Sequence, residues 1–236
     1  NKMLVQSDLA NTLRIIASKG RDGFYKGEIA EKISSEMKTN GGLITKSDLQ
    51  KYNPVWREPL ISDYRDTRII TMGPPSSGGL HIIQMLNIIE NFELKPMKHN
   101  SLEYINLLAE VMKYAYSDRS KYLGDPDFYK VPIKKITSKD YAKNILSNIK
   151  IGKATPANDI YPGKHFIKES HETTHFSVAD KSGNVVSMTY TLNSTFGSKV
   201  VIKDTGILMN NEMDDFSAAP GIPNQFNLLG AEANQI

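Results

Sequence analysis

Apolar residues repeat at two different spacings along the chain. Over most of residues 7–149 they recur every three or four positions, which is typical of amphipathic helices, whereas residues 173–192 alternate, as in a half-buried strand. The pattern predicts helices over residues 7–19, 24–38, 80–91, 101–123 and 138–149, a short one after Thr45, and strands over 60–64, 68–72, 173–179 and 185–192. Ser7 or Asp8 can cap the first helix, and Thr45 and Asp48 have the spacing of a capping box. Helices first and strands afterwards indicate an α+β fold.

The last two predicted strands form a hairpin. Side chains at 173, 175, 177 and 179 point to one face and those at 174, 176 and 178 to the other. The polar run 180–184 predicts the turn, where Gly183 can take a positive φ. Two adjacent β-branched hydroxyl residues, Thr173 and Thr174, begin this hairpin after a polar stretch, so a reactive hydroxyl is a candidate here.

Three further features of the first 172 residues carry expectations about packing. The helix over 101–123 is expected to bury an apolar stripe, and Asp118 is expected to form an ion pair with Arg119 or to cap the helix end. Gly78 and Gly79 allow close backbone contact ahead of a helix, which we interpret as packing rather than as an anion site. Residues 150–172 show no periodicity and are interpreted as a mobile linker. The predicted stripe consists of Leu102, Ile105, Leu108, Ala109, Met112, Ala115 and Tyr116.

Composition and charge exclude several classes of protein. The 236 residues are 39% hydrophobic and 23% charged, and the net charge of +3 is too small to indicate nucleic-acid binding. Absence of cysteine excludes disulfides and thiol chemistry. The sequence contains no run of about 18 apolar residues, which a membrane-spanning helix would need. Residues 173–236 hold three lysines and six acidic residues, a net charge of −3. Such a charge around a nucleophile would favour a substrate carrying an amine, although solvated surface charge is its commoner cause.

Two kinds of chemistry compete for the start of the hairpin, and the first is a zinc site. Residues 171–175 match the H-E-x-x-H motif of zinc peptidases, with His171 and His175 as ligands and Glu172 as general base. That motif requires a helix, whereas paired threonines and the alternation that follows favour a strand. Residues four apart in a strand lie about 13 Å from each other, too far for two imidazoles to share an ion. Zinc is therefore the less favoured alternative.

The second kind of chemistry uses Thr173 as a nucleophile. A threonine hydroxyl needs a base within hydrogen-bond reach, and an N-terminal threonine can use its own α-amine. The reference pKa of that amine, about 7.7–8.0, suits a base that works near neutral pH. An internal threonine lacks the free amine, so the bond between Glu172 and Thr173 would have to be cut first.

Five stretches in this chain resemble the γ-glutamyltranspeptidases, which are self-cleaving N-terminal-nucleophile hydrolases. The resemblance spans nearly the whole chain, and the stretches follow the family's order. They are residues 74–79 (PPSSGG), 113–119 (KYAYSDR), 173–178 (TTHFSV), 189–197 (TYTLNSTFG) and 210–217 (NNEMDDFS).

The resemblance implies roles for individual residues. Thr173 would be the nucleophile, freed by autocatalytic cleavage of the Glu172–Thr173 bond, and the hydroxyl of Thr191 would position it. The alternative for Thr191 is an ordinary strand threonine. Asn193 would contact the substrate's α-amino group. The other implied site residues are Glu212 and Asp215, which would hold the ammonium, and Phe226 in a lid loop over residues 220–231, where many members have tyrosine.

The resemblance also implies an overall organisation. The fold would be the four-layer αββα sandwich, incomplete here, with residues 1–172 as the C-terminal part of a large subunit and 173–236 as the N-terminal part of a small one. The chain is expected to be a central fragment, inactive alone because the oxyanion-hole and carboxylate-binding residues lie outside it.

The implied activity is γ-glutamyl transfer or hydrolysis through a threonine acyl-enzyme. Glutathione, other γ-glutamyl compounds and amino-acid acceptors would be the substrates, with no cofactor or metal, and the location would be periplasmic or secreted. The remaining alternatives are a related amidase with another acyl group and a non-catalytic fragment.

Overall fold

The computed structural model describes residues 3–160, 173–216, 218, 219 and 221–225. Within these ranges the chain is α+β, and its strands form two-stranded antiparallel sheets. The helices are α1 (Ser7–Lys19), α2 (Arg21–Tyr25), α3 (Gly27–Asn40), α4 (Lys46–Lys51), α5 (Ser77–Ile89), α6 (Leu102–Tyr122), α7 (Ile133–Ile136), α8 (Lys139–Leu146) and α9 (Ala157–Ile160). The strands are β1 (Leu60–Tyr64), β2 (Thr67–Thr71), β3 (Thr174–Ala179), β4 (Val185–Tyr190), β5 (Val201–Ile202) and β6 (Ile207–Leu208).

Two compact units divide the chain differently from the two predicted subunit parts. The first unit combines residues 1–55 with 170–213, and the second combines 56–169 with 214–236. The predicted division at residue 172 concerns cleavage of the chain rather than packing, and it remains a prediction.

The first unit is built on a small apolar core formed by residues from both ends of the chain. Ile29 and Ile33 of α3 and Ile202 of β5 are at most 2% exposed and pack together. A buried hydrogen bond, 2.9 Å long, runs from the Thr12 hydroxyl of α1 to the carbonyl oxygen of Thr205. Residues on either side of position 172 therefore share one core.

The predicted helix ends in this unit are mostly confirmed. Gly20 ends α1 with φ 58°, and Thr45 caps α4 in a reciprocal capping box with Asp48. Two predictions were wrong. The residue before α1 is Gln6, with no side-chain cap, and the helix expected over 24–38 is two helices, because Lys26 is extended (φ −133°, ψ 166°).

The second unit packs α5 against α6, α8 and the β1–β2 hairpin, and it holds two apolar clusters. The larger cluster joins α5, α6 and α8, and the smaller one joins α5, α7 and the end of α6. The buried members are Ile88, Ile89, Leu107, Val111, Ala142, Ile145 and Ile149 in the first, and Leu80, Leu123 and Ile136 in the second.

The apolar stripe predicted for α6 was largely wrong. Leu102, Ile105 and Met112 are 77%, 52% and 45% exposed, whereas Leu107 and Val111 are fully buried. Of the predicted stripe only Ala115 is buried. The helix turns a different face to the core because the buried face also includes polar residues, which an apolar pattern cannot reveal.

Three buried polar residues of this unit, His81, Gln84 and Asp118, form a hydrogen-bonded chain with Tyr141 across α5, α6 and α8. His81 Nδ1 pairs with Gln84 Oε1 at 3.1 Å, Gln84 Nε2 donates to Asp118, and the Tyr141 hydroxyl donates to Asp118 at 2.9 Å. The ion pair or cap predicted between Asp118 and Arg119 is therefore wrong, since the hydrogen-bond partners of Asp118 are neutral groups on neighbouring helices.

The close backbone approach predicted before α5 is confirmed at one of the two glycines. A Cβ on Gly79 would lie 2.6 Å from Thr71 Oγ1 and would also strike the carbonyl oxygen of Met72. Gly78 has nothing nearer than Ser76 Oγ, at 3.7 Å. Gly79 therefore lets α5 pack directly on the end of β2.

No helix in the described part of the chain is long and apolar enough to cross a membrane.

Candidate functional site

The hairpin predicted from the alternating pattern is confirmed. Strands β3 and β4 pair antiparallel from Thr174 opposite Tyr190 to Ala179 opposite Val185. The turn is tied by Asp180, whose side chain accepts hydrogen bonds from the Asn184 side chain (2.7 Å) and from backbone N–H groups. These bonds, led by that from Asn184, hold the pKa of the Asp180 carboxyl below its ordinary value. Gly183 has φ 84°, as the turn requires.

Thr173 lies one residue ahead of β3 and is exposed. Continuing the strand register by one position places it opposite Thr191, which follows β4 directly. In an antiparallel pair, directly opposed residues have Cβ atoms about 4.5–5.5 Å apart. By this extension of the register, the two predicted catalytic threonines occupy opposing positions just beyond the paired strands, while Glu172 lies outside the described residues.

The face of the hairpin that carries position 173 is polar. The His175 ring lies between two hydroxyls of β4, with Nδ1 2.7 Å from Thr189 Oγ1 and Nε2 3.1 Å from Ser187 Oγ. Ser177 Oγ follows, 3.3 Å from Ser187 Oγ. Sequence reasoning placed His175 on the same face as Thr173 but gave it a role of its own only as a metal ligand, and it did not predict these contacts with β4.

The zinc alternative receives no support. His175 lies in a strand rather than a helix, and both of its ring nitrogens face hydroxyls. The other motif residues, His171 and Glu172, lie outside the described residues. No group of three histidine, aspartate or glutamate side chains suited to a metal occurs in the part of the chain that the structure describes.

A compact loop connects the end of β4 to the residues before the acidic segment. Asn193 is 5% exposed, has φ 74°, and donates from Nδ2 to the carbonyl oxygen of Asn211 at 3.1 Å. Its backbone N–H donates to Thr191 Oγ1 at 2.9 Å. Thr191 and Asn193, which were predicted as site residues from the resemblance alone, are therefore linked in one turn.

Asn211 is a residue of this loop that sequence reasoning missed. Its Oδ1 accepts from the backbone N–H of Ser194 at 3.0 Å, its Nδ2 donates to Ser194 Oγ at 3.1 Å, and its N–H donates to the carbonyl of Leu192 at 3.2 Å. These bonds join the 191–194 turn to the irregular segment between β6 and the acidic residues. The only signal in the sequence was the adjacent pair Asn210-Asn211, which also suits an ordinary turn.

The glycine in this loop is required by a close contact. Gly197 has φ 52°, and a Cβ there would strike the carbonyl oxygen of Met209 and lie 2.9 Å from Asn210 Cα. The backbone of the turn can therefore lie directly against the strand only because position 197 has no side chain.

The two acidic site residues belong to a short 3₁₀ helix, Glu212–Asp215. The boundary between the compact units falls inside this helix, after Met213. In the first unit, the N–H of Glu212 donates to Asn210 Oδ1 at 3.0 Å. In the second unit, Asn224 Nδ2 donates to the carbonyl oxygen of Asp215 at 2.9 Å. Phe226 lies outside the described residues.

The segment that leads towards the predicted cleavage point is bound along α6. Asn106, Glu110, Lys113 and Ser117, on one face of the helix, bond to the backbone between Gly152 and Ile160. The bonds are Gly152 N to Asn106 Oδ1 (2.8 Å), Thr155 N to Glu110 Oε1 (3.0 Å), Lys113 Nζ to Thr155 O (2.8 Å) and Ser117 Oγ to Ile160 O (2.9 Å).

Glu110 is the buried member of this polar face, and its side chain has no exposed area. Burial alone would raise the pKa of its carboxyl, but hydrogen bonds from Lys113 and Thr155 outweigh burial and keep that pKa below its ordinary value. The linker predicted over 150–172 is therefore partly wrong: residues 152–160 are anchored and include α9, and residues 161–172 lie outside the described part.

Comparison with known proteins gives a consistent result. The whole chain, residues 1–236, matches the model of the gamma-glutamyltranspeptidase family. The glutathione hydrolase proenzyme of Escherichia coli (strain K12) is 55% identical over 233 residues, which are 99% of this chain and 40% of that protein. A crystal structure of the Helicobacter pylori gamma-glutamyltranspeptidase is 46% identical with a TM-score of 0.66, over 72% of this chain and 49% of that one.

A structure with a different name shows a similar fold. The cephalosporin acylase from Bacillus halodurans has a TM-score of 0.76 and 30% identity, over 98% of this chain and 40% of that one. The relatives thus include glutathione hydrolases, transpeptidases and an acylase. This chain belongs to the gamma-glutamyltranspeptidase family, and it spans about 40% of the length of the curated relatives it matches.

Proposed function

We propose that the protein is a self-processing γ-glutamyltransferase and glutathione hydrolase in which Thr173 is the nucleophile. The observation that supports this most directly is the position of Thr173, at the start of β3 and opposite Thr191 in the continued register of the hairpin. Family membership supplies the reaction class, and the hairpin supplies the pair of hydroxyls that such a reaction needs.

The first stage is cleavage of the chain. Thr173 Oγ attacks the carbonyl carbon of Glu172, the C–N bond breaks, and the acyl group moves from nitrogen to oxygen as an ester. Water then hydrolyses the ester, which leaves a carboxylate on Glu172 and a free α-amine on Thr173. The exposed position of Thr173 leaves its hydroxyl accessible for this step.

The second stage is acyl transfer. The α-amine of Thr173 removes the proton from its own hydroxyl, which attacks the γ-carbonyl of glutathione or another γ-glutamyl compound and expels the amine of the leaving group. The resulting acyl-enzyme is resolved by water, which gives hydrolysis, or by the amine of an amino acid, which gives transfer. The chemistry needs no cofactor and no metal.

Three residues are proposed to bind the substrate's α-amino group, and their surroundings differ. Asn193 is held by the 191–211 loop bonds, so its amide is fixed in orientation. Glu212 and Asp215 contribute carboxylates, which make charge-assisted hydrogen bonds to an ammonium. The net charge of −3 on residues 173–236 is consistent with a cationic group on the substrate. Phe226 is proposed to lie in the lid that covers it.

The same proposal includes the architecture and location of the complete protein. Residues 1–172 would belong to a large subunit and 173–236 to a small one, which together form the four-layer αββα sandwich of N-terminal-nucleophile hydrolases. The core shared by Ile33 and Ile202 would hold the two subunits together after cleavage. The enzyme would be periplasmic or secreted.

Mass spectrometry and one pair of variants test the proposal. The full-length protein should yield a chain that begins at Thr173. Thr173→Ala should leave the chain uncut and lower turnover of a γ-glutamyl anilide by at least about 10³-fold, because the nucleophile is lost. Thr173→Ser, which keeps a hydroxyl, should still cleave. Full turnover by an uncut protein would contradict the proposal.

An acylase with a different acyl substrate is the second candidate, supported by the similarity to the cephalosporin acylase. Such an enzyme would share Thr173 but would not need carboxylates for an ammonium. Asp215→Asn separates the two candidates. If the substrate is a γ-glutamyl compound, KM should rise by at least about tenfold through loss of a charge-assisted bond, whereas hydrolysis of a neutral acyl side chain should not change.

A further inference from the structure

The polar face of the hairpin contains a cross-strand contact that the proposed mechanism does not use. His175 on β3 reaches both Thr189 and Ser187 on β4, with its shorter contact, 2.7 Å from Nδ1, to Thr189. Thr189 is the residue directly opposite His175 in the strand register. The pair therefore bonds side chain to side chain across the sheet, in addition to the backbone ladder.

This pair occupies the position next to the proposed catalytic threonines. His175 follows Thr173 by two residues and Thr189 precedes Thr191 by two, so the four side chains share one face. The other end of the hairpin is fixed by the Asp180–Asn184 turn. On this face, the His175–Thr189 pair is the cross-strand side-chain contact nearest to the threonines among those that the structure describes.

On the opposite face of this end, within the described residues, the Phe176 and Tyr190 rings make an edge-to-face contact with centroids 6.4 Å apart. Every side chain of β3 and β4 is exposed, including the apolar ones on the opposite face. A shift by one residue would move each side chain to the other face, which packing normally prevents. Cleavage before Thr173 would also remove the covalent restraint on the first residues of β3, and strand ends fray when they are free.

We propose that His175 is a positioning residue: its bond to Thr189 fixes the β3–β4 register so that Thr173 faces Thr191. This inference rests on the proposed function for its catalytic consequence, but the register itself is independent of any activity. His175 does not contact the substrate or the reacting atoms, and it acts through the placement of the two threonine hydroxyls.

The two ring nitrogens can be tested separately. In His175→Asn the side-chain amide occupies the place of Nδ1 and can still bond Thr189, whereas in His175→Gln the amide reaches the place of Nε2 and Ser187. His175→Phe keeps the ring and removes both bonds. Thr189→Val and Ser187→Ala remove the corresponding hydroxyls from β4.

Steady-state kinetics of the processed full-length protein give the first readout. His175→Phe and Thr189→Val should each lower kcat by about 10–100-fold, with KM within about threefold, because a small displacement of reacting groups slows chemistry more than binding. The double variant should be no slower than either one, since both remove the same contact. The kcat of His175→Asn should be within about fivefold of wild type, because its amide can still bond Thr189. The kcat of Ser187→Ala should also be within about fivefold of wild type.

Engineered cysteines give a readout that does not depend on activity. Residues 1–236 contain no cysteine, so Thr173→Cys with Thr191→Cys places one pair where the register predicts facing residues, close enough for a disulfide. Oxidation should form the bond in this background, and adding His175→Phe should lower its yield severalfold. His175→Asn should restore the yield, and each single cysteine variant serves as a control.

These outcomes decide the inference separately from the proposed function. If wild type neither cleaves at Thr173 nor turns over a γ-glutamyl anilide, the function fails and the cysteine pair still tests the register. An unchanged disulfide yield in His175→Phe would overturn the inference. A kcat of His175→Phe within about threefold of wild type, or an effect of this variant on KM alone, would overturn it as well.

Discussion

His81 is a buried titratable residue whose acid–base chemistry is strongly altered. Gln84 donates its amide to Asp118, so its oxygen must accept from His81 Nδ1–H, which leaves Nε2 unprotonated. Nε2 is buried and has no hydrogen-bond partner among the described residues. Burial, with the nearby Arg119 charge, lowers the pKa of His81 to about 4, although the bond to Gln84 opposes this. The imidazole is therefore neutral at ordinary pH.

Replacing His81 should change how stability depends on pH. Between pH 6.5 and about 4 the unfolded chain takes up a proton that the folded protein does not, so wild type loses stability as the pH falls. His81→Asn keeps a donor for Gln84 but cannot titrate. From pH 7 to 4 the free energy of unfolding of wild type should fall by up to about 3 kcal/mol more than that of this variant.

Urea unfolding of the full-length protein at a series of pH values measures this difference. His99→Asn, at an exposed histidine, is the matched control and should follow wild type. Asp118 also titrates in this network, but with the opposite sign: burial raises the pKa of its carboxyl despite bonds from Tyr141 and Gln84. Parallel curves for wild type and His81→Asn would contradict the assignment of a neutral buried imidazole.

Residue-level reasoning from the sequence succeeded where the function of a side chain is local. The capping pair Thr45 and Asp48 was predicted because both partners lie three residues apart, and the structure confirms it. The partners of Asp118 were not predicted, since Gln84 and Tyr141 lie 34 and 23 residues away. Only the packing of three helices brings them together.

The contact between α5 and β2 depends on one glycine and not on its neighbour. Gly79→Ala should lower the free energy of unfolding by about 1–3 kcal/mol, because its Cβ would meet Thr71 and the backbone of Met72. Gly78→Ala should be neutral or stabilise by up to about 1 kcal/mol, since alanine favours the helix and the site is open.

Chemical denaturation of the two variants beside wild type gives both values. The comparison removes any general effect of placing alanine in the first turn of α5, because the two positions are adjacent. Equal stabilities of Gly78→Ala and Gly79→Ala would show that α5 can move away from β2 without cost. The sequence predicted a close approach at this pair, but only the structure shows that position 79 makes it.

The sequence predicted the positions of most helices well, but it predicted poorly which face of a helix is buried. The bounds of α6 differ from the prediction by one residue at each end, because Ser101 caps it locally. The prediction of which face of α6 is buried was wrong, since Glu110 and Asp118 are buried with their own polar partners. An apolar pattern assumes that polar residues face solvent, and this helix buries two of them.

The first unit joins residues from both sides of the proposed cleavage point. Ile29 and Ile33 precede it and Ile202 follows it, and all three are buried in one cluster. Thr12 and Thr205 add a buried hydrogen bond between the same two parts. The two chains produced by cleavage should therefore stay associated without a covalent bond.

Ile202→Ala should weaken this association, by about 2–5 kcal/mol for a buried isoleucine reduced to alanine. Val201→Ala, at the neighbouring residue of β5, is the matched control because Val201 is 50% exposed. After processing, wild type should elute as one complex on size exclusion, and Ile202→Ala should separate at a lower urea concentration. Separation of the wild-type chains in native buffer, or identical urea midpoints for the two variants, would contradict this.

By itself the sequence determined the local features of this protein: most helix ends, the β3–β4 hairpin with its turn, and the motifs that resemble one family. These depend on residues close together in the chain, where periodicity, caps and turn residues act directly. The tertiary structure alone decided which faces are buried, that His175 bonds Thr189, and that Ile202 shares a core with α3. Such contacts join residues far apart in sequence, and their free energy depends on packing that no local pattern records.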